Sequence, residues 1–305
     1  MDILLLVEQI LILFLMIGVG YFLMKIKMID HSFNQKLNTL VLNLTLPCLI
    51  ISSVFSETDA KPSSILNVLF FSCFMFVALP FIAYLVVKLI PIAPEKRNLY
   101  QFMLIYSNNG FIGIPIIMVI YGNAGVIYSS IIVMLFNLSV FTYGIYLFTK
   151  DKKEGFLFDW RSLISPGVLS SLAALFLYFF QLSVPSAIIQ VFQYLGDMTT
   201  PLAMILVGAS LTSISFKEIF TDWSLYPFVF IKQVLLPIVA IPLVRHFVTN
   251  SIAQGVIILC LAMPVANIAV MFASQYKSDA STASKGILLT TLLSLLTLPL
   301  IASLL

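Results

Sequence analysis

Charge is what this sequence has least of. Of its 305 residues, 10% are Asp, Glu, Lys or Arg, whereas 61% are apolar or aromatic, and the mean hydropathy is +1.09. A water-soluble domain carries about 25% charged residues, so this chain cannot cover itself in water. That excludes a soluble globular domain, a disordered or collagen-like chain and a nucleic-acid-binding protein, and a net charge of +3 calls for no acidic partner. Cysteine is scarce too. Cys48, Cys73 and Cys260 all sit inside apolar stretches without paired spacing, which excludes a disulfide framework or zinc site and predicts buried thiols. The two histidines, His31 in an expected loop and His246 near a helix end, are too far apart to hold a metal.

What is present is a series of long apolar runs. An α-helix rises 1.5 Å per residue, so a ~30 Å hydrocarbon core needs about 20 apolar residues. Ten segments fit: Ile3–Met24, Leu37–Phe55, Ser64–Ile90, Leu99–Tyr121, Ala124–Phe148, Leu163–Phe180, Ile188–Leu211, Leu225–Val248, Ile252–Ala273 and Gly286–Leu305. Charge clusters or turns such as Gly122-Asn123 separate them. The runs are continuous rather than alternating, which argues against a transmembrane β-barrel and for an all-α membrane protein of ten transmembrane helices. The first run is expected to remain as a membrane helix, since Asp2 and Glu8 replace the basic leader of a signal peptide.

Basic residues accumulate in cytoplasmic loops. Loops on the side of the 1–2 connection hold Lys25, Lys27, Lys36, Lys88, Lys96, Arg97, Lys150, Lys152, Lys153, Arg161, Lys217, Lys277 and Lys285; the other side holds Lys61 and Arg245. Lys232 lies inside span 8. The asymmetry predicts a multi-pass cell-membrane protein with both termini outside the cytoplasm. A short basic linker, 150–162, divides two five-span halves, 1–149 and 163–305. Five is odd, so a second copy must enter the membrane from the other side, giving a 5+5 inverted repeat of the kind that lets secondary transporters alternate access. Local matches agree: Leu46-Pro47-Cys48 in span 2 with Thr200-Pro201-Leu202 in span 7, and Asn109 to Pro115 in span 4 with Pro264 to Asn267 in span 9.

Pro inside a helix removes a hydrogen bond and clashes with the preceding turn. Spans 4 and 9 carry Pro, Gly and Asn at corresponding places, so both are expected to be broken at mid-membrane, where unwound backbone and half-helix N-termini can receive a ligand. Asn43, beside Pro47, and Thr199 and Thr200, beside Pro201, add hydrogen-bonding groups. Gly18, Gly20 and Gly208-Ala209-Ser210 are expected at close helix contacts. Asp197, far from loop charges in span 7, is expected to be buried, either carrying a proton or sodium ion or pairing with Lys232. Glu8 is expected at the solvated end of span 1. The pair Gly196-Asp197 also occurs in intramembrane aspartyl proteases, but that chemistry needs a second facing carboxylate, and no other Asp is deep in a span. No His-Glu-x-x-His occurs, and no filter-like segment suggests a channel.

The segment Ser107-Asn108-Asn109-Gly110-Phe111-Ile112-Gly113-Ile114-Pro115, with Tyr121-Gly122, Leu261-Ala262-Met263-Pro264 and Ala273-Ser274-Gln275-Tyr276, resembles the auxin efflux carrier family. The likeness extends to Leu46-Pro47, to Pro201-Leu202-Ala203 with Gly208-Ala209-Ser210-Leu211, and to Lys232 with Pro237. It implies a panel and a transport bundle, with broken helices 4 and 9 crossing at Asn109, Pro115 and Pro264, as in sodium/proton antiporters and bile-acid symporters. The short linker is similar to that of bacterial members resembling malate and malonate permeases. The function expected is secondary transport of small organic anions, mono- or dicarboxylates, with H+ or Na+ as an optional coupling ion and no other cofactor. Efflux of an auxin-like aromatic carboxylate, a passive anion channel and an intramembrane protease are the alternatives. Substrate-binding residues are expected to be Asn108, Asn109, Gly110, Pro115, Pro264, Asn267, Asn43, Thr199 and Thr200, with Asp197 and Lys232 in ion coupling. The expected partners are the organic anion and the lipid bilayer, with room for a second copy in a homodimer.

Overall fold

Helices begin where the sequence offers an N-cap. Asp30 accepts from the Phe33 amide at 2.6 Å, Asn250 from Ala253 at 2.9 Å and Asp279 from Thr282 at 2.9 Å; Ser165 caps a helix with Pro166 in its first turn. These caps satisfy amides that lack an intrahelical partner. The computed structural model describes residues 3–55, 62–150, 164–212, 222–223 and 225–305. Most of the linker 150–162, with Lys152, Lys153 and Arg161, and also Lys61 and Lys217, lie outside the described residues.

The described chain is helical and makes ten passes. Span 1 is Ile3–Lys25, span 2 His31–Ser53 and span 3 Pro62–Leu89. Span 4 runs from Arg97 to Ile105 and resumes at Asn109; span 5 ends at Thr149. A hinge at Gly122, with φ 61° and ψ −155°, folds the 41-residue segment Asn109–Thr149 between them. Span 6 is Pro166–Phe180, span 7 Ser186–Leu211, span 8 Leu225–Phe247, span 9 Ser251–Ala262 plus Ile268–Gln275, and span 10 Ala280–Ala302.

Two starts differ from the expectation. Span 2 begins at His31 rather than Leu37, because Asp30 caps it, so His31 is helical and not in a loop. Span 10 begins at Ala280 rather than Gly286, because Asp279 caps it, which takes Lys285 into the helix. Cys48 and Cys260 are buried, but Cys73 is exposed on the outer surface of span 3, contrary to the expected burial of all three.

Three of the prolines leave the same trace. The chain widens into a π-helical turn at Val41–Thr45 before Pro47, at Asn109–Gly113 before Pro115, and at Ile231–Leu235 before Pro237. A proline ring crowds the carbonyl four residues back, and one wider turn makes room for it.

Spans 1, 2, 6 and 7 pack together as one group. Gly208 and Gly20 are needed there, because a Cβ on either would overlap the backbone carbonyl of Ile17 or Ile205 respectively. Gly196 similarly lets span 7 rest on span 2, where a Cβ would lie 2.8 Å from Leu49 Cα. Gly18, by contrast, faces open space. Spans 3, 4, 5, 8, 9 and 10 form the second group, with the two broken helices at its centre.

Candidate functional site: the crossing of the two broken helices

Span 4 unwinds at Tyr106–Asn108 and span 9 at Met263–Asn267. The two unwound stretches meet antiparallel at Ser107 and Val265. The Asn108 amide donates to the Pro264 carbonyl at 2.7 Å, and the Ala266 amide donates to the Tyr106 carbonyl at 3.0 Å. Backbone groups released by the break in one helix are thus satisfied by the break in the other, as a low-dielectric setting demands. Asn108 uses its side chain to cap the resumed helix, accepting from the Phe111 amide at 3.3 Å.

Side chains from neighbouring spans brace this pair. Lys232, in the π-helical turn of span 8, is fully buried. Its ammonium donates to the Leu104 carbonyl at 2.9 Å and to the Ser107 hydroxyl. Leu104 lies at the end of the first half of span 4, where unpaired carbonyls carry partial negative charge, and a cation there is favourable. Thr290 of span 10 accepts from the Val265 amide at 3.1 Å, and Gln233 donates to the Thr290 carbonyl at 2.7 Å. The Tyr106 hydroxyl donates to the Ser139 carbonyl of span 5 at 2.9 Å.

On the side of the panel, the group of spans 1, 2, 6 and 7, the turn Asn109–Gly113 packs against Thr199–Leu211 of span 7, and a Cβ on Gly110 would touch Leu46 of span 2 at 3.9 Å. Here three buried polar atoms have no hydrogen-bond partner: Asn109 Oδ1, Thr45 Oγ1 and Thr199 Oγ1. Spans 2 and 7 run antiparallel and touch at Leu49 and Gly196. Thr45, four residues before Leu49, and Thr199, three after Gly196, therefore lie on the same side of that contact. Buried polar groups without partners are rare enough to need a cause, and a ligand seated between the crossing and spans 2 and 7 would provide one.

The expected site residues divide. Asn108, Asn109, Gly110, Pro115, Pro264 and Asn267 belong to the two breaks or their resumed helices, with Asn267 at the N-cap of Ile268–Gln275. Thr199 is buried beside them and Thr200 half-buried, but Asn43 points to the exposed side of span 2. Asp197 is exposed, not buried, at the end of the first half of span 7. It makes no ion pair with Lys232; among the described residues the ion pair is Lys96–Asp279, at 2.8 Å. Asp197 lies on the exposed face of span 7 with Tyr194, Met198 and Pro201, one helical turn apart, which hydropathy alone does not reveal. Glu8 is exposed, as expected.

Thr45, Ser107, Gln233 and Thr290 were not singled out as site residues by sequence. Lys232 does carry a signal, being the one basic residue placed wholly inside a span, and of the two alternatives for Asp197 the pairing with Lys232 is not formed. A serine or threonine in an apolar helix usually bonds to its own backbone, so nothing local distinguishes these from the many that do.

Known proteins place this geometry. An uncharacterized transporter of Methanocaldococcus jannaschii is 25% identical over 304 residues, covering 96% of each chain. The sequence model of the membrane transport protein family matches twice, over residues 5–159 and 153–302. Each match takes in one set of five spans, and the auxin efflux carriers that the motifs resemble fall within this family. The chain is therefore a multi-pass transporter and belongs to the membrane transport protein family.

Proposed function

We propose that this transporter carries small organic anions, mono- or dicarboxylates of malate or malonate type, by alternating access, with the substrate carboxylate held where spans 4 and 9 cross. The observation that carries the reading is Lys232. Four half-helix ends meet at the crossing, two with partial positive and two with partial negative charge. Lys232 caps one of the negative ends, and the buried polar and charged residues around it include no carboxylate. The remaining field is positive and suits an anion.

Donors for the carboxylate are the Gly110 and Ile268 amides at the starts of the resumed half-helices, where the neighbouring amides are already bonded within the protein, with the Asn109 and Asn267 side chains. Thr199 and Thr45 are positioned for the rest of the molecule, and a substrate hydroxyl would satisfy the unpaired Asn109 Oδ1. Asp197 is exposed on span 7 and makes no ion pair with Lys232, so proton coupling is not expected to run through it. The face carrying the basic loops is cytoplasmic.

The test is counterflow in proteoliposomes, joined to a thermal-shift screen of mono- and dicarboxylates. A ligand that binds only the folded form raises the melting temperature. Stabilisation by a carboxylate with counterflow of the same compound is expected; stabilisation by organic cations alone would refute the reading. Gradient-driven accumulation is expected to survive Asp197→Asn, and its loss would return coupling to that carboxylate. A cysteine at Ser183 should react with an impermeant reagent in intact cells; protection there with reaction at Lys152 would invert the orientation.

A further inference from the structure

Away from the crossing, spans 3, 4 and 5 border a shallow, open cleft of about 340 Å³ at the face of the molecule that carries the basic loops. Its floor is polar. Gln101 of span 4, 3% exposed, donates through Nε2 to the Pro80 carbonyl at 3.0 Å and to the Tyr143 hydroxyl at 2.8 Å. Its mouth is cationic: Lys88 sits over the Tyr84 ring, 4.2 Å from the centroid, and Lys150 over Tyr146 at 5.9 Å. Arg97, at the start of span 4, lies within electrostatic reach of the same Tyr84. Among the described residues no carboxylate lines the cleft, and Asp279 is paired with Lys96.

The third wall is apolar and open. Val77 and Phe81 of span 3 are 76% and 65% exposed. Both line the cleft and also look outward, where a membrane places hydrocarbon. The cleft thus offers cations and phenols at the depth of lipid headgroups, and below them an apolar slot continuous with the acyl region. A soluble organic anion would leave that slot unused.

We propose that this cleft is a binding site for an anionic phospholipid. The phosphate lies between Lys88 and Lys150 with Arg97 behind, the glycerol and ester oxygens meet the Tyr84 and Tyr146 hydroxyls, and one acyl chain runs over Phe81 and Val77. Basic pockets between membrane helices bind acidic headgroups in this way, and lysines near such a surface contribute additively. Because the cleft is built on three helices of the group that contains the crossing, its occupant holds spans 3, 4 and 5 together beside the transport site.

The test uses the full chain in mixed micelles, with lipid binding read by native mass spectrometry. Phosphatidylglycerol is expected to bind with defined stoichiometry and phosphatidylcholine at least tenfold more weakly. Lys88→Gln with Lys150→Gln is expected to weaken phosphatidylglycerol about thirtyfold, equivalent to about 2 kcal/mol at ~1.4 kcal/mol per decade. Lys150→Gln alone, at an exposed helix end, serves if the double variant does not fold. Lys25→Gln with Lys27→Gln, on the same face but away from the cleft, should leave binding unchanged. Equal binding of phosphatidylcholine, equal loss in the distant pair, or glycerol phosphate binding as well as the whole lipid would each overturn the proposal, the last by making the cleft a site for soluble anions.

Discussion

Replacing Lys232 by Met tests the anion-binding reading directly. The ammonium makes two buried hydrogen bonds, to the Leu104 carbonyl and the Ser107 hydroxyl, and hydrogen bonds to charged groups contribute ~1.5–3 kcal/mol each. Against this, a buried ammonium carries a desolvation cost of several kcal/mol that Met removes. The two effects are of similar size, so the melting temperature of the ligand-free protein should change little. Binding has no such compensation. Ser107 touches Lys232 and Asn109 is two residues further on, so a carboxylate at Asn109 lies ~8 Å from the ammonium; at an effective dielectric of ~20 the attraction is ~2 kcal/mol. Loss of ~2 kcal/mol raises Kd about thirtyfold. Lys232→Gln keeps N–H donors without the charge, and should lose affinity to a similar extent. Calorimetric titration of whichever carboxylate gives the largest thermal shift reads both variants. Affinity within twofold of the parent in a folded Lys232→Met protein would refute the electrostatic argument. Loss in Met but not in Gln would mean that hydrogen bonding, not charge, is what matters.

Asn109→Ala should raise the substrate Kd about tenfold, the ~1.4 kcal/mol worth of one hydrogen bond to a charged group, and Thr199→Val should weaken binding without lowering the melting temperature, since its hydroxyl has no protein partner to lose; a melting point that falls in step with affinity would contradict this. Gly208→Val should abolish folded protein, because the Ile17 backbone cannot yield, whereas Gly18→Ala, facing open space, should be neutral in a thermal melt. At Asp279, burial alone would raise the carboxyl, but hydrogen bonds from Lys96 and from the Thr282 hydroxyl and amide outweigh it and hold the group at about 2. A depressed carboxyl adds stability above its unfolded value of ~3.9 and loses it as pH falls toward 2. Asn caps a helix as well as Asp, so Asp279→Asn removes chiefly the charge that pairs with Lys96; partly exposed, that pair is worth about 1 kcal/mol at pH 7, and the gap to the parent should close between pH 4 and pH 2 in paired melts.

How far the sequence reveals this arrangement depends on the range of the interactions involved. Apolar length and proline position are local properties, so the ten passes and the existence of a break in spans 4 and 9 can be read from them, although span 4 unwinds at Tyr106–Asn108, just ahead of the expected Asn109–Pro115. Helix starts at His31 and Ala280 were missed because a single capping Asp extends a helix over polar residues that hydropathy scores as loop. Side-chain partners are not local. Lys232 and Ser107 are 125 residues apart, and only the fold brings them together. Distance from loop charges places Asp197 inside the membrane, yet it shares the outward face of span 7 with Tyr194 and Pro201, opposite the Gly196 that meets span 2. Thr45 and Thr199 mark the space between panel and crossing only through the absence of a partner, a property that belongs to packing and has no sequence pattern.

The pattern of bonds also divides the spans into two groups. At the crossing, spans 4 and 9 are joined by backbone bonds through Asn108 and Ala266, and Lys232, Thr290 and Ser139 tie them to spans 8, 10 and 5. The Lys96–Asp279 pair joins the loops at their ends. Spans 1, 2 and 7 are locked by backbone contacts at Gly20, Gly208 and Gly196 that leave no room to slide. Between the two groups the interactions are softer: a Leu46 methyl against Gly110, the partnerless hydroxyls of Thr45 and Thr199, and a 3.1 Å bond from Ser171 of span 6 to the Ser130 carbonyl of span 5. Shifting methyl groups and one neutral hydrogen bond, worth ~1 kcal/mol net, is far easier than opening a crossing whose buried backbone groups would all lose their partners. Under the alternating access proposed above, the crossing would move as one body past spans 1, 2, 6 and 7. The two sequence repeats would then not be the two mechanical parts, because each repeat contributes two spans to one group and three to the other.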